Sequence, residues 1–112
     1  LTEGNQSKIE FTKAGEVYRG TLIWLNVPNS TSGQEKMDKN NPDPALRNRP
    51  IIGIRIVDNL ELKKGEYING VIYSPEKGSS LKCKMNLLNP NLLDITITKG
   101  IITVHKYWKR AT

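Results

Sequence analysis

The sequence predicts an all-β domain: a small antiparallel up-and-down barrel with one long loop and at most a short helical turn. Three observations predict it. Apolar residues recur with period two rather than 3.6, the spacing of half-buried strands. The apolar runs are separated by tight turns rich in Gly, Pro and Asn, as in a meander. Gly20, Gly53 and Gly70 each fall inside an expected strand, in Arg19-Gly20-Thr21, Ile52-Gly53-Ile54 and Asn69-Gly70-Val71, where glycine marks a bend or bulge. Repeated bends coil a sheet and close it on itself, which removes exposed edges.

Lys8 to Phe11 alternate as a first strand, and Lys13-Ala14-Gly15-Glu16 form a hairpin turn. Val17 to Leu25 are the second strand. A polar segment, Asn26 to Arg49, follows. Pro50 to Val57, rich in Ile, read as the third strand and Glu66 to Ser74 as the fourth. Pro75-Glu76-Lys77-Gly78 form a turn with Pro early and Gly last. Ser79 to Leu88 are the fifth strand, with Leu81, Cys83, Met85 and Leu87 on one face. Asn89-Pro90-Asn91 turn into a sixth strand, in which Leu93, Ile95 and Ile97 alternate with polar residues. Lys99-Gly100 lead to a seventh, Ile101 to Lys109, with Ile102, Val104 and Trp108 on one face. The same period turns Lys106 inward, where a long stem can carry its charge to a barrel mouth or meet a ligand carboxylate.

The 112 residues make one domain, 1–112, large enough for a core without metal or disulfide. Cys83 is the single cysteine, so neither an intrachain disulfide nor a zinc cluster forms; it reads as a small buried hydrophobe. The net charge of +6 permits attraction to anions. Alternating lysines such as Lys82 and Lys84 read better as a solvated outer face. No apolar run is long enough to span a membrane as a helix. Strand aromatics among basic residues also build nucleic-acid platforms, but one Phe and no aromatic cluster favour core filling; no nucleic acid is expected.

The densest chemistry lies in Asp38 to Gly53, which holds two acids, three Asn, two Arg and three Pro. Asp43 is a good helix N-cap and Pro44 a good first residue, so Asp43 to Asn48 are expected to form a single turn. Asp38, Asn40, Asn41 and Asp43 offer oxygen ligands. Their spacing lacks the glycine and bidentate Glu of a calcium loop, so Asp38, Asn41 and Asp43 read as residues that hold the loop, with no metal and no cofactor. Arg47 and Arg49, two apart, would point the same way in an extended segment and clamp an anion. The competing reading pairs them with Asp38 or Asp43 to pin the loop. No nucleophile motif or phosphate loop is present, and the lone His105 falls on the outer face, so no enzyme is expected.

The order of motifs resembles the bacterial secreted family catalogued as domain of unknown function 2147. Leu1-Thr2-Glu3 match the stretch after its opening Gly-x-Trp strand; Tyr18-Arg19-Gly20 and Trp24-Leu25 match its next strand. Asp38, Asn41-Pro42-Asp43, Leu46-Arg47, Arg49-Pro50 and Gly53 match its long central signature. Gly70, Ile72-Tyr73, Pro75, Gly78 and Cys83 match its hairpin, and Trp108 and Arg110 its close. Ser74 replaces a usual Asp, Leu81 a usual Tyr, and Thr96 to Tyr107 lack the family's Arg-Gly and Gly-Arg-Thr elements. The resemblance implies a lipocalin-like barrel, periplasmic or secreted after loss of a signal peptide, with no established activity. The expected function is binding of a small, partly apolar acidic ligand, with Arg47, Arg49, Lys106, Trp24 and Tyr73 as candidate contacts. The alternative is an envelope interaction or structural module that uses the loop 26–49.

Overall fold

The structure, a computed structural model, describes residues 7–26 and 36–110. Seven strands lie in one sheet in chain order: β1 Ser7–Ala14, β2 Val17–Leu25, β3 Arg55–Lys63, β4 Glu66–Ser74, β5 Ser79–Asn89, β6 Leu92–Lys99 and β7 Ile102–Lys109. Every neighbouring pair is antiparallel. The only helical element among the described residues is a 3-10 turn, Pro44–Leu46, capped by the Asp43 side chain. Among the described residues the sheet is a curled half-barrel with β1 and β7 as its first and last strands.

Two strand assignments need correction. β1 continues through Lys13 and Ala14, and the turn is only Gly15 and Glu16, with Gly15 at φ 63°. β3 runs from Arg55 to Lys63, not from Pro50 to Val57. Pro50 has no N–H to give to a ladder, and Gly53 adopts φ 102°, so Ile51–Ile54 form an irregular limb. Gly53 therefore bends the loop, and the strand bends belong to Gly20 and Gly70.

The curl comes from bulges along a diagonal. Tyr18 and Gly20 oppose Leu60 and Val57, so β3 carries one extra residue there. Tyr67 and Gly70 oppose Met85 and Cys83, and β4 likewise carries one extra. Asn59 and Asn69 sit in these two stretches, both at φ 60°. Asn is among the residues that tolerate this region best, and Asn59 Nδ2 donates to the Asn69 carbonyl at 3.0 Å. Inside the curl, a Cβ on Gly70 would stand 2.5 Å from Leu60 Cδ2 and 2.9 Å from Cys83 Sγ. Its absence lets Leu60 lie across the neighbouring strand.

Cross-strand rows fill the inner face. Cys83, Ile97 and Val104 form one row, Met85, Ile95 and Lys106 the next, and Leu87, Leu93 and Trp108 the third. The core gathers Leu22, Ile54, Val57, Leu60, Met85, Ile95 and Trp108, among others. At the open seam Phe11 on β1 and Trp108 on β7 meet, with ring centroids 6.3 Å apart.

Candidate functional site

The molecule has two ends with different chemistry. At one end the loop 36–54 is tied to the sheet. Its limbs run antiparallel: Asp38 N donates to the Arg49 carbonyl at 3.0 Å, Ile51 N to the Lys36 carbonyl at 3.0 Å, and Met37 and Pro50 form a bridge. The returning limb delivers Ile51 and Ile54 to the core.

Asp38 is the knot of this end, with a side chain fully shielded from solvent. Tyr73 Oη donates to its Oδ1 at 2.6 Å. Asn41 Nδ2 donates to Oδ2 at 2.8 Å, and Arg49 reaches the same oxygen from Nε and a terminal nitrogen at 3.2 and 3.1 Å. Burial alone would push the Asp38 carboxyl up, but the bonds from Tyr73, Asn41 and Arg49 and the charge of Arg49 outweigh it, and its pKa is held below the usual carboxylate range. Burial and the facing carboxylate push the Tyr73 phenol up to about 12. Arg47 Nε donates to the Asn41 carbonyl at 2.8 Å. Asn40 donates to the Pro75 and Glu76 carbonyls, tying the loop to the β4–β5 hairpin.

The proposed same-side clamp of Arg47 and Arg49 does not form. They follow the 3-10 turn, with Arg49 N donating to the Leu46 carbonyl, so the segment is coiled rather than extended. Arg49 joins Asp38 and Arg47 stays exposed beside Asn41. Asp43 caps the turn through Ala45 N at 3.0 Å. Asp38, Asn41 and Asp43 thus direct their oxygens to protein donors. Among the described residues no group of three acids, His or Cys is placed to hold a metal.

Trp24 and Tyr73 do not meet at one pocket. The bulge between Lys8 and Ile9 puts Trp24 opposite Lys8, whose ammonium stands 5.1 Å from the ring centroid, and Trp24 is 38% exposed. Tyr73 is engaged by Asp38. Lys106 lies opposite Ile95 on the inner side of β7, at an exposed edge. His105 faces the other way: Asp94 Oδ1 and Thr96 Oγ1 both approach its Nδ1, at 3.0 and 3.4 Å. A proton relay needs its acid and its nucleophile on opposite ring nitrogens, so this trio is not one. Of the loop alternative, residues 27–35 lie outside the described residues.

The opposite end carries a cavity of about 270 Å³. Leu60, Met85, Leu87 and Leu93 line it with the aromatic rings of Phe11, Tyr18 and Tyr67, and Lys13 is its one charged residue. Tyr18 and Tyr67 pack edge to face, centroids 5.2 Å apart, and the Lys13 ammonium stands 5.9 Å from the Tyr18 centroid. A larger hollow of about 470 Å³ lies on the convex side, bordered by Asn59, Asn69, Lys82, Lys84 and Thr98. It is mixed in polarity, whereas the smaller cup has the mostly apolar and aromatic lining with few polar groups, one of them charged, typical of small-molecule sites. Lys13 falls in the hairpin turn that the sequence predicts, whereas β1 runs through it. Its alternation with Ile9 and Phe11 was the signal that places it on the inner face.

No curated protein matches the chain. Among solved structures, HP1028 of Helicobacter pylori, described as belonging to the lipocalin family, is similar: TM-score 0.78, 27% identity, covering 95% of this chain and 73% of that one. No helix among the described residues is long and apolar enough to cross a membrane. The family described as an uncharacterised protein conserved in bacteria, DUF2147, matches residues 1–110; with the central loop signature now seen as the knot around Asp38, the chain belongs to that family and has a lipocalin-like fold.

Proposed function

We propose that this protein is a non-enzymatic binding protein that works outside the cytoplasm and holds a small, partly apolar ligand in the cup between Phe11, Tyr67 and Leu93. The carrying observation is the cup itself: an apolar cavity at the end of the half-barrel opposite the loop 36–54. Removing apolar ligand surface from water stabilises a complex by about 25 cal/mol per Å² before the costs of association. Arg47 and Arg49, the cations that the sequence suggests for the ligand, lie at the other end, and their hydrogen bonds are spent on the loop. That geometry supports a scaffold role for the loop rather than a binding face. The similarity to a protein described as a lipocalin is in keeping with a carrier.

An anilinonaphthalene dye should show saturable fluorescence enhancement with the native chain. A bulky side chain in the cup, Leu93→Trp, should abolish it while the far-ultraviolet spectrum is retained. Equal enhancement by both proteins would place the dye elsewhere and sink the reading. Fractionation of cells producing the full-length protein tests its location; recovery with the cytoplasmic fraction would refute that part.

A further inference from the structure

We propose that the cup takes a small amphipathic monoanion, with its apolar tail against Leu60, Met85 and Leu93 and its acidic head at Lys13. This rests on the cup being the binding site. Lys13 alone brings charge to an otherwise apolar lining, and no acid lines the cavity. Among the described residues neither Lys13 nor Lys106 has an ion-pair partner. Lys13 projects from the last turn of β1 beside the mouth, its ammonium over the Tyr18 ring. Lys106 stands in the cross-strand row that runs through Ile95 to Met85, a cup residue. Lys13 therefore stands at the apolar hollow with Lys106 farther along the same face, two strands from Met85, and the net charge of +6 favours arrival of an anion.

The volume bounds the tail. At about 30 Å³ for each water-sized unit, a 270 Å³ cavity takes a chain of roughly eight carbons. Burying each methylene is worth about fourfold in affinity, until the cup is full. Lys13 is exposed, so its contact with a carboxylate is partly screened and is worth about fivefold.

The test is calorimetric titration with butanoate, hexanoate, octanoate and dodecanoate, and with the alcohols of equal length. Affinity should climb about fourfold per methylene and level off near eight carbons. Octanoate should bind about fivefold more tightly than octanol. Lys13→Met should erase that acid-over-alcohol preference and Lys13→Arg should keep it; Lys106→Met should reduce it. If acid and alcohol bind equally to the native chain, or if Lys13→Met keeps the preference, the anion assignment is wrong and the cup stands. If affinity ignores chain length, or if Leu93→Trp and the more exposed Leu87→Trp both leave it unchanged, the cup is wrong as well.

Discussion

Asp38 shows how one carboxylate can organise a loop. Its oxygens accept from Tyr73, Asn41 and Arg49, so replacing it strands several donors at once. A buried donor left unmatched costs about 1–3 kcal/mol. Arg49 is a third exposed and can turn to water, so Asp38→Ala should destabilise by about 2–4 kcal/mol. Arg49→Ala should cost about 1–2 kcal/mol, because Tyr73 and Asn41 still hold the carboxylate. Arg47→Ala, at an exposed site, should cost under about 1 kcal/mol. Urea denaturation gives the order, and a larger loss for Arg47 than for Arg49 would contradict this geometry. The pH dependence has a definite sign. The Asp38 pKa is lower folded than unfolded, so its contribution is complete above the unfolded value of about 3.9 and is lost as pH falls through the lower folded value. The Tyr73 pKa is raised to about 12, so its contribution is complete below about 10 and is lost as pH rises through about 12. Tyr73→Phe should remove the alkaline loss and leave an acid one. The acid–arginine pairing was legible in the sequence as one of two readings. That Asp38 would be the shielded partner was not, because burial depends on Tyr73, 35 residues away.

At the scale of elements, the loop and the β4–β5 hairpin hold each other. Gly78 adopts φ 66°, and a Cβ there would run into the Asn40 backbone carbonyl. Gly78→Ala therefore meets two penalties. The left-handed conformation costs about 1–2 kcal/mol for an L side chain, and the loop must move off the hairpin. The expected result is a loss of at least about 2 kcal/mol with faster hydrogen exchange at the Asp38 and Asn41 amides, both of which are hydrogen-bonded within the loop. Exchange unchanged at those amides would show that the loop is held without the hairpin. The strands themselves were readable because period two survives wherever one face is buried: β2 and β4 have the expected bounds. Residues 50–54 resemble a strand because Ile54 is buried and Ile51 and Ile52 half-buried in an irregular limb, and apolar runs look alike whatever their backbone. Gly20 and Gly70 did mark the bends, but the bulges beside them rest on Asn59 and Asn69, whose positive φ has no periodic signature.

Among the described strands no ladder joins β1 to β7, and that sets what the core must do. A closed barrel would join first and last strands by hydrogen bonds. Among the described residues β1 and β7 stand first and last in the strand order, and the described contact across the seam is aromatic: Phe11 against Trp108. Side-chain packing must then hold the curl that a backbone ladder would otherwise fix, and the cup at that end depends on it, since Phe11 lines the cavity. The two tryptophans separate this idea from general hydrophobic stabilisation. Trp108 is 7% exposed and stands in the row of Leu87 and Leu93, whereas Trp24 is 38% exposed under Lys8 on the convex side. Trp108→Ala should cost about 3–5 kcal/mol, lowering Tm by more than about 10 °C in a domain of this size. Trp24→Ala should cost about 1 kcal/mol, most of it the contact with the lysine. Trp108→Phe keeps an aromatic partner for Phe11 and should retain most of the stability and dye binding together. If the two alanine variants melt alike, or if Trp108→Ala binds dye as well as the native chain below its melting point, the seam does not hold the cup open and the half-barrel keeps its shape by backbone curvature alone.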